Sequence, residues 1–242
     1  MARPMVVVVL SGGMDSVTLA LWCQSLEYDT TFISFNYGQR HKKELEFAAY
    51  WANKTGSVHH IVDLSGITGL MNNSALTNPD IEVPDGNYDE ASMKVTVVPN
   101  RNAVMISIAT ALAVNIGAET VMVGVHAGDH AVYPDCRPEF INSMDKAMYA
   151  GNEGLVPVNF SVHAPFIKMS KADICALGAQ VGVDFSMTWS CYKGGHHQCS
   201  RCGTCSERIE AFVLAGIEDP TVYADPANVE ELRARIRRDG HS

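Results

Sequence analysis

The sequence predicts an α/β fold built on a parallel sheet, with a metal-binding helical extension at the C-terminal end. Three observations carry that expectation. The apolar run Met5-Val6-Val7-Val8-Val9-Leu10 passes through Ser11-Gly12-Gly13-Met14-Asp15-Ser16 into a helix-compatible segment from Val17 to Leu26. Strand-like and helix-like segments then alternate, which calls for right-handed crossovers between parallel strands. Finally, four of the seven cysteines fall within fifteen residues as C-x7-C-x2-C-x2-C, at Cys191, Cys199, Cys202 and Cys205.

The first turn is the most telling element. A buried strand, a turn of small residues and a helix N-terminus describe a phosphate pocket. Glycines take positive φ and let main-chain N–H groups approach an anion, and the first N–H groups of the helix add partial positive charge. Ser11 and Ser16 supply hydroxyl donors, and Asp15 is a carboxylate placed to hold Mg²⁺ against phosphate oxygens. The spacing is neither that of the Walker loop nor that of the dinucleotide G-x-G-x-x-G turn. The plain alternative is an ordinary strand-to-helix turn.

Further elements follow in order. Thr30–Tyr37 is rich in β-branched and aromatic residues and reads as a second strand. From His41 to Thr55 apolar residues recur at helical spacing up to Gly56, and Val58–Leu64 reads as a third strand. Ligands of such sheets bind at the carboxyl ends of the strands, where Gly12, Gly13 and Tyr37 fall. Residues 66–95 lack periodicity and carry Gly, Asn, Pro and Asp, so they read as a long loop close to the substrate and ordered in part by it. Then come a helix at Asn102–Asn115, a strand at Val121–Val125, and a helix at Pro138–Ala150. Ser170 is the expected N-cap of a helix running to Gly182, with Asp173 in the capping-box position. Beyond the cysteines, Ser206–Leu214 and Val229–Arg238 read as helices. The expected organisation is an α/β domain over residues 1–185 and a cysteine-knuckle and helical extension over 186–242, packed on the same core.

The four clustered cysteines suit a metal better than two disulfides, because residues three apart in a tight turn seldom meet disulfide geometry. Tetrahedral Zn²⁺ with four sulfur ligands leaves no open position and is therefore structural; an iron–sulfur cluster is the rival. His196 and His197, between the first two cysteines, are expected in the exposed loop. The 242 residues carry a net charge of −9, which speaks against broad nucleic-acid or anionic-membrane binding. The apolar run at residues 5–10 is too short for a signal-peptide core, and no stretch is read as approaching the roughly 20 apolar residues of a membrane span. The expectation is a cytoplasmic protein with no nucleic-acid or membrane partner.

Ser11-Gly12-Gly13-Met14-Asp15-Ser16 resembles the SGGxDS loop of the PP-loop ATP pyrophosphatase superfamily. Tyr37-Gly38-Gln39-Arg40-His41, Pro99-Asn100-Arg101-Asn102, Tyr133-Pro134-Asp135-Cys136-Arg137 and the cysteine cluster after Trp189-Ser190 follow in an order similar to that of the 7-cyano-7-deazaguanine synthase family. The resemblance implies an adenine nucleotide alpha hydrolase-like (PP-loop) fold and a homodimer. It also implies ATP-dependent conversion of 7-carboxy-7-deazaguanine and ammonium to the nitrile, through an adenylated carboxylate and an amide. The alternatives are a PP-loop tRNA-thiolating enzyme, which would call for a basic RNA-binding face, and another ATP-dependent amidating ligase. A non-enzymatic zinc-knuckle module would leave Asp15, Arg101 and Asp135 without a shared task.

The implied cofactors are ATP, Mg²⁺ and Zn²⁺. Leu10, Ser11, Gly12, Gly13, Met14, Asp15 and Ser16 are expected around the nucleotide, with Tyr37 stacking on a ring and Gln39 and Arg40 closing the site. Arg101 and Lys171 are candidate catalytic partners, with Asp15, for phosphate or the substrate carboxylate; surface charge is the alternative for both. Asp135 is a candidate acceptor for the guanine-like edge or else a helix cap. His126, Asp129 and Tyr133 are expected on the substrate side. Cys136 is read as packing. The chain departs from the family in having Asn100 where glycine is common and Met14 where glutamine is frequent. Its Gly124–His130 segment is also rich in histidine.

Overall fold

The computed structural model describes residues 3–86 and 90–239. Five parallel strands, β1 (Met5–Val9), β2 (Asp29–Asn36), β3 (Val58–Asp63), β4 (Thr120–Met122) and β5 (Ser161–His163), form one sheet in the order β3-β2-β1-β4-β5. Val6 pairs with Thr30 on one side and Thr120 on the other, so β1 is central and the order reverses between β1 and β4. A crevice opens beside such a switch point at the carboxyl ends of the strands.

Alternation along β1 divides the core. Val6 and Val8 face one layer with α1 (Met14–Ser25), α2 (Lys43–Thr55), α6 (Lys171–Gln180) and Phe212 of α7 (Gly203–Ala215). Val7 faces the other layer with α4 (Arg101–Ile116) and α5 (Pro138–Gly151). A separate apolar cluster joins the cysteine knuckle and Ile209 of α7 to Ala75, Val83 and Val229 of α8 (Pro226–Asp239). Burying an apolar side chain of this size fully stabilises the fold by about 1.5–3 kcal/mol, so each layer clamps one face of the sheet.

Local rules account for several boundaries. Helix α2 stops at Gly56, whose φ of 70° is the left-handed C-cap that glycine tolerates. Ser170 and Asp173 form the expected capping box at the start of α6, with both reciprocal bonds present.

Other expectations change. Strand β4 ends at Met122 rather than Val125, because the chain turns to lay Gly124 against the first turn of α1. A Cβ on Gly124 would lie 3.3 Å from both Cα and N of Ser16. Strand β5 had no sequence signal, being three residues long. The loop at 66–95 is largely packed: it contains Ser65–Met71 as 3₁₀ turns and the short α3 (Glu90–Met93), and buries Ala75 and Leu76 completely. None of its described residues lines the central cavity, and the segment packs as a structural strap. Residues 87–89 of it lie outside the described residues.

The reading that no stretch approaches a membrane span also needs correction. Lys94–Ile116 is long and apolar enough by length and composition, with a window of mean hydropathy 1.3. Most of that run is α4, which lays Ile106, Ala109 and Ala113 against the sheet and thereby uses its apolar character.

Candidate active site

The loop after β1 is organised by its own hydroxyls. Ser16 Oγ accepts from the Ser11 N–H at 3.1 Å and donates to the Gly13 carbonyl at 3.1 Å, and the two serine hydroxyls lie 3.0 Å apart. Gly12 has φ of 90° and Gly13 has φ of −76°, so of the two glycines expected to use positive φ only Gly12 does. Gly13 is the N-cap of α1 without a side-chain cap, which leaves the first N–H groups of the helix turned towards the crevice mouth. The Gly12 carbonyl accepts from the Trp189 N–H at 3.0 Å, tying the loop to the segment that leads into the cysteines.

One cavity of about 1180 Å³, counted with its open mouth, runs from this loop along the ends of β1, β2 and β4. Its first pole is ionic. Lys171 Nζ lies 3.1 Å from Asp15 Oδ2 and 2.9 Å from Glu207 Oε2. His126 Nδ1 accepts from the Gly128 N–H, and Nε2 lies 3.3 Å from Lys171 Nζ, 3.6 Å from Asp129 Oδ2 and 3.9 Å from Asp15 Oδ2. Burial pushes the Asp15 carboxyl up, but the charges of Lys171 and His126 outweigh it and hold the group below its usual range. Burial likewise works against the Lys171 ammonium and is overcome by Asp15, Glu207 and Asp129, so the lysine stays charged. Asp15 Oδ1 is buried and has no partner among the described residues, which marks it as a donor atom for a ligand or ion. The alternative of a solvated surface charge for Lys171 is excluded by this placement.

The second pole is aromatic. The Arg101 guanidinium lies 5.9 Å from the Tyr37 ring and 5.8 Å from the Tyr133 ring, and NH1 donates to the Tyr37 hydroxyl at 3.4 Å. No carboxylate among the described residues pairs with it. Tyr133 is pinned by Thr96 Oγ1 at 2.8 Å and lies 3.4 Å from the Tyr192 hydroxyl. His41 packs on the Tyr192 ring, and Glu44 of α2 faces the same space. Burial pushes the Glu44 carboxyl up to about 8 and the His41 imidazole down to about 3, so both are neutral at pH 7.

Three candidates are engaged elsewhere. Gln39 is buried, with its amide oxygen accepting from Tyr37 N–H and its nitrogen donating to Phe35 carbonyl and Glu44. Arg40 donates to the carbonyls of Asn78 and Ile81, both in the strap. Asp135 Oδ2 accepts from the Asn102 N–H at 3.0 Å, so it caps α4 across the chain, not the helix that follows it in sequence. None of the three lines the cavity, nor does His126, which acts from behind Asp15 and Asp129. Leu10, Ser11, Gly13, Met14, Ser16, Tyr37, Asp129, Tyr133, Arg101 and Lys171 do line it. Burial raises the Cys136 thiol, in keeping with packing. Sequence reasoning missed Glu44 and Glu207; each stands on a helix whose own pattern is unremarkable, and only tertiary contacts reveal it.

The four cysteine sulfurs lie within 4.8 Å of one another, and Cys199 and Cys205 are 3.8 Å apart. A tetrahedron with Zn–S of about 2.3 Å has sulfur–sulfur edges of about 3.8 Å, so the donor set fits Zn²⁺. Backbone N–H groups of Arg201 and Cys202 donate to Cys199 Sγ, and that of Cys199 to Cys191 Sγ, which orients the sulfurs as ligands. His196 and His197 are exposed and outside the cluster. Cys202→Ser is expected to lose the metal and to destabilise the C-terminal region by several kcal/mol, since structural zinc binding is folding energy on the order of 10 kcal/mol. Elemental analysis and thermal melts check this; iron and sulfide in the purified protein would overturn it.

The family model described as queuosine biosynthesis protein QueC matches residues 5–216. The 7-cyano-7-deazaguanine synthase of Rhizobium johnstonii is 52% identical over 219 residues, covering 90% of this chain and 92% of its own. The protein of the same name from Caldicellulosiruptor bescii is 50% identical over 217 residues, covering 90% of this chain and 96% of its own. Among solved structures, NMN synthetase from Francisella tularensis aligns over 99% of this chain and 86% of its own, with a TM-score of 0.48 and 15% identity. With a phosphate loop, a four-cysteine cluster and close relatives matched over nearly its whole length, the chain belongs to the QueC family of queuosine biosynthesis proteins.

Proposed function

We propose that the chain catalyses the reaction for which its relatives are named, joining ammonia to 7-carboxy-7-deazaguanine with ATP to give 7-cyano-7-deazaguanine. The observation that carries this reading is one cavity with two different poles. At one end a helix N-terminus, two serine hydroxyls and the Asp15–Lys171 pair suit a nucleotide's phosphates. At the other end Tyr37, Tyr133 and Tyr192 suit a flat aromatic ring.

A carboxylate is a poor electrophile, so it must first be activated. Its oxygen attacks the α-phosphorus of ATP and pyrophosphate leaves. Ammonia then attacks the acyl carbon, AMP departs with the carboxylate oxygen, and an amide remains. The amide oxygen attacks the α-phosphorus of a second ATP and a second pyrophosphate leaves; AMP then departs with that oxygen, and the nitrogen gives up its two protons to leave the nitrile. The chain's residues supply position and charge. Loop N–H groups and Ser11 and Ser16 hold pyrophosphate, and Lys171 neutralises the charge that develops on it. Arg101, half-buried and without a carboxylate partner among the described residues, suits an anionic oxygen of substrate or phosphate. Asp15 Oδ1 would hold Mg²⁺, which supplies charge neutralisation between phosphate oxygens. The four cysteines would hold Zn²⁺ as a structural cross-link, away from the reacting atoms. The assembly that goes with this reading is a homodimer, and the nitrogen donor is free ammonium.

Oxygen tracing tests the reading. With ¹⁸O-labelled carboxylate, both labels are expected in AMP, with pyrophosphate as the other nucleotide product. The loop lacks the Walker lysine that serves γ-phosphate transfer, which is why attack at the α-phosphorus is expected. Label in inorganic phosphate, with ADP accumulating, would overturn the nucleotide chemistry.

A further inference from the structure

A 7-deazaguanine lying among the tyrosines of the second pole carries, on the side of its ring away from the 7-carboxylate, an edge made of N1–H and the 2-amino group. That edge offers two parallel N–H donors, and the matching protein group is a carboxylate. Among the described residues three carboxylates line the cavity, those of Asp15, Glu44 and Asp129. Asp15 and Asp129 belong to the cluster around Lys171 and His126. Asp135 is spent on the first turn of α4. Glu44 remains.

Its surroundings are those of an aimed group. The side chain is 13% exposed, and Gln39 Nε2 donates to Oε1 at 3.1 Å. Gln39 is itself immobilised, since its carboxamide bonds the backbone of both Phe35 and Tyr37. Oε2 lies 3.4 Å from His41 Nε2, and no lysine or arginine among the described residues pairs with the carboxyl. Held neutral by burial, the carboxyl needs no cation, and it stays free to meet donors that a ligand brings. Such a group on a cavity wall is explained by a ligand that brings the donors.

Resting on the reading of the site as one for a 7-deazaguanine, we propose that Glu44 determines base specificity, accepting the N1–H and 2-amino donors of the ring, while Gln39 acts as its positioning residue. A ligand that brings two donors favours the ionised carboxylate, so Glu44 ionises on binding although burial keeps it neutral beforehand. Adenine offers one donor beside one acceptor and matches the charged group less well.

Calorimetric binding to the full chain tests this, with 7-carboxy-7-deazaguanine and its analogue lacking the 2-amino group as probes. The wild type is expected to prefer the 2-amino compound roughly 100-fold, the loss of a hydrogen bond to a buried charge. Glu44→Gln mimics the neutral side chain that the fold already accommodates. It is expected to erase that preference while leaving ATP affinity and the melting temperature unchanged. Glu44→Asp, which keeps the charge, should restore part of the preference. A preference that survives in Glu44→Gln, or a loss of ATP affinity in its place, overturns the assignment. If the preference behaves as expected but no nitrile forms in the presence of ATP and ammonium, the subsite stands and the proposed reaction falls.

Discussion

Gly12→Ala is expected to abolish turnover and to destabilise the protein, whereas Gly13→Ala one residue on is expected to fold normally. A Cβ on Gly12 would lie 2.0 Å from the Glu44 carbonyl oxygen and 2.9 Å from the Ala48 N, both backbone atoms of α2. Neither can yield without moving the helix or the loop, and the residue's φ of 90° adds strain of its own for any side chain. A displacement of about 1 Å in a positioning element costs on the order of 10²-fold in rate. Here the whole phosphate loop must shift, and α2, which carries Glu44, shifts with it. A loss of at least 10³-fold in kcat/KM is therefore expected, roughly 4 kcal/mol of transition-state stabilisation. Gly13 has φ of −76° and its added Cβ would meet Ser11 Oγ and the Trp189 carbonyl oxygen at 3.4 Å, contacts that small shifts accommodate. Melting curves and steady-state rates of the two variants separate the effects. A Gly12→Ala protein with wild-type activity would mean that the loop does not rest on α2 as described.

The contrast between the two glycines shows what a sequence can and cannot say. The hexapeptide points to a phosphate loop because its meaning is local: a strand, a turn and a helix start are all set by neighbours in the chain. The capping box of Ser170 and Asp173 and the Gly56 helix stop were legible for the same reason. Asn100 is a local feature whose sense came only from the backbone, for its φ of 57° is the left-handed conformation that asparagine tolerates best after glycine. That explains how asparagine fits a position where the family resemblance leads one to expect glycine. Contacts made across the chain were not legible. Glu207 reaches Lys171 from α7, Asp135 caps α4, and Glu44 faces the cavity from beside the phosphate loop. In each case the residue's own segment looks like an ordinary amphipathic helix or turn, and the partner lies dozens of positions away. The three-residue strand β5 is too short to show a period.

A large stability effect is expected at a residue with no local signal at all. Arg208 is completely buried on α7, three residues beyond Cys205. Its Nε and NH2 groups donate to the Asp219 carboxylate at 3.0–3.3 Å, NH1 to Thr188 Oγ1 at 2.7 Å, and NH2 also to the Phe185 carbonyl at 2.9 Å. Tyr223 donates its hydroxyl to the same carboxylate at 2.6 Å. The network joins α7 to Thr188, next to the Trp189 that bonds Gly12, and so supports the phosphate loop from behind. Arg208→Met keeps much of the volume but strands Asp219 without its cation, and breaking a buried pair from one side costs roughly 3–5 kcal/mol. For a chain of this length that is a fall in Tm on the order of 10 °C. Burial pushes the Asp219 carboxyl up, but the Arg208 charge and the three kinds of donor around it prevail and hold it below the usual range. A carboxyl whose folded pKa is depressed contributes stability above its unfolded value of about 3.9 and loses it as pH falls through the folded value. Wild type should therefore lose this increment only at strongly acid pH, below about 4. In Arg208→Met the orphaned carboxyl should titrate higher, since burial is no longer opposed by a cation. The variant's stability deficit relative to wild type should then narrow as pH falls, because protonation removes the stranded charge. Adding Asp219→Asn to Arg208→Met should recover part of the loss at pH 7. Equal deficits at pH 7 and pH 4, with no recovery in the double variant, would show that Arg208 acts by packing alone.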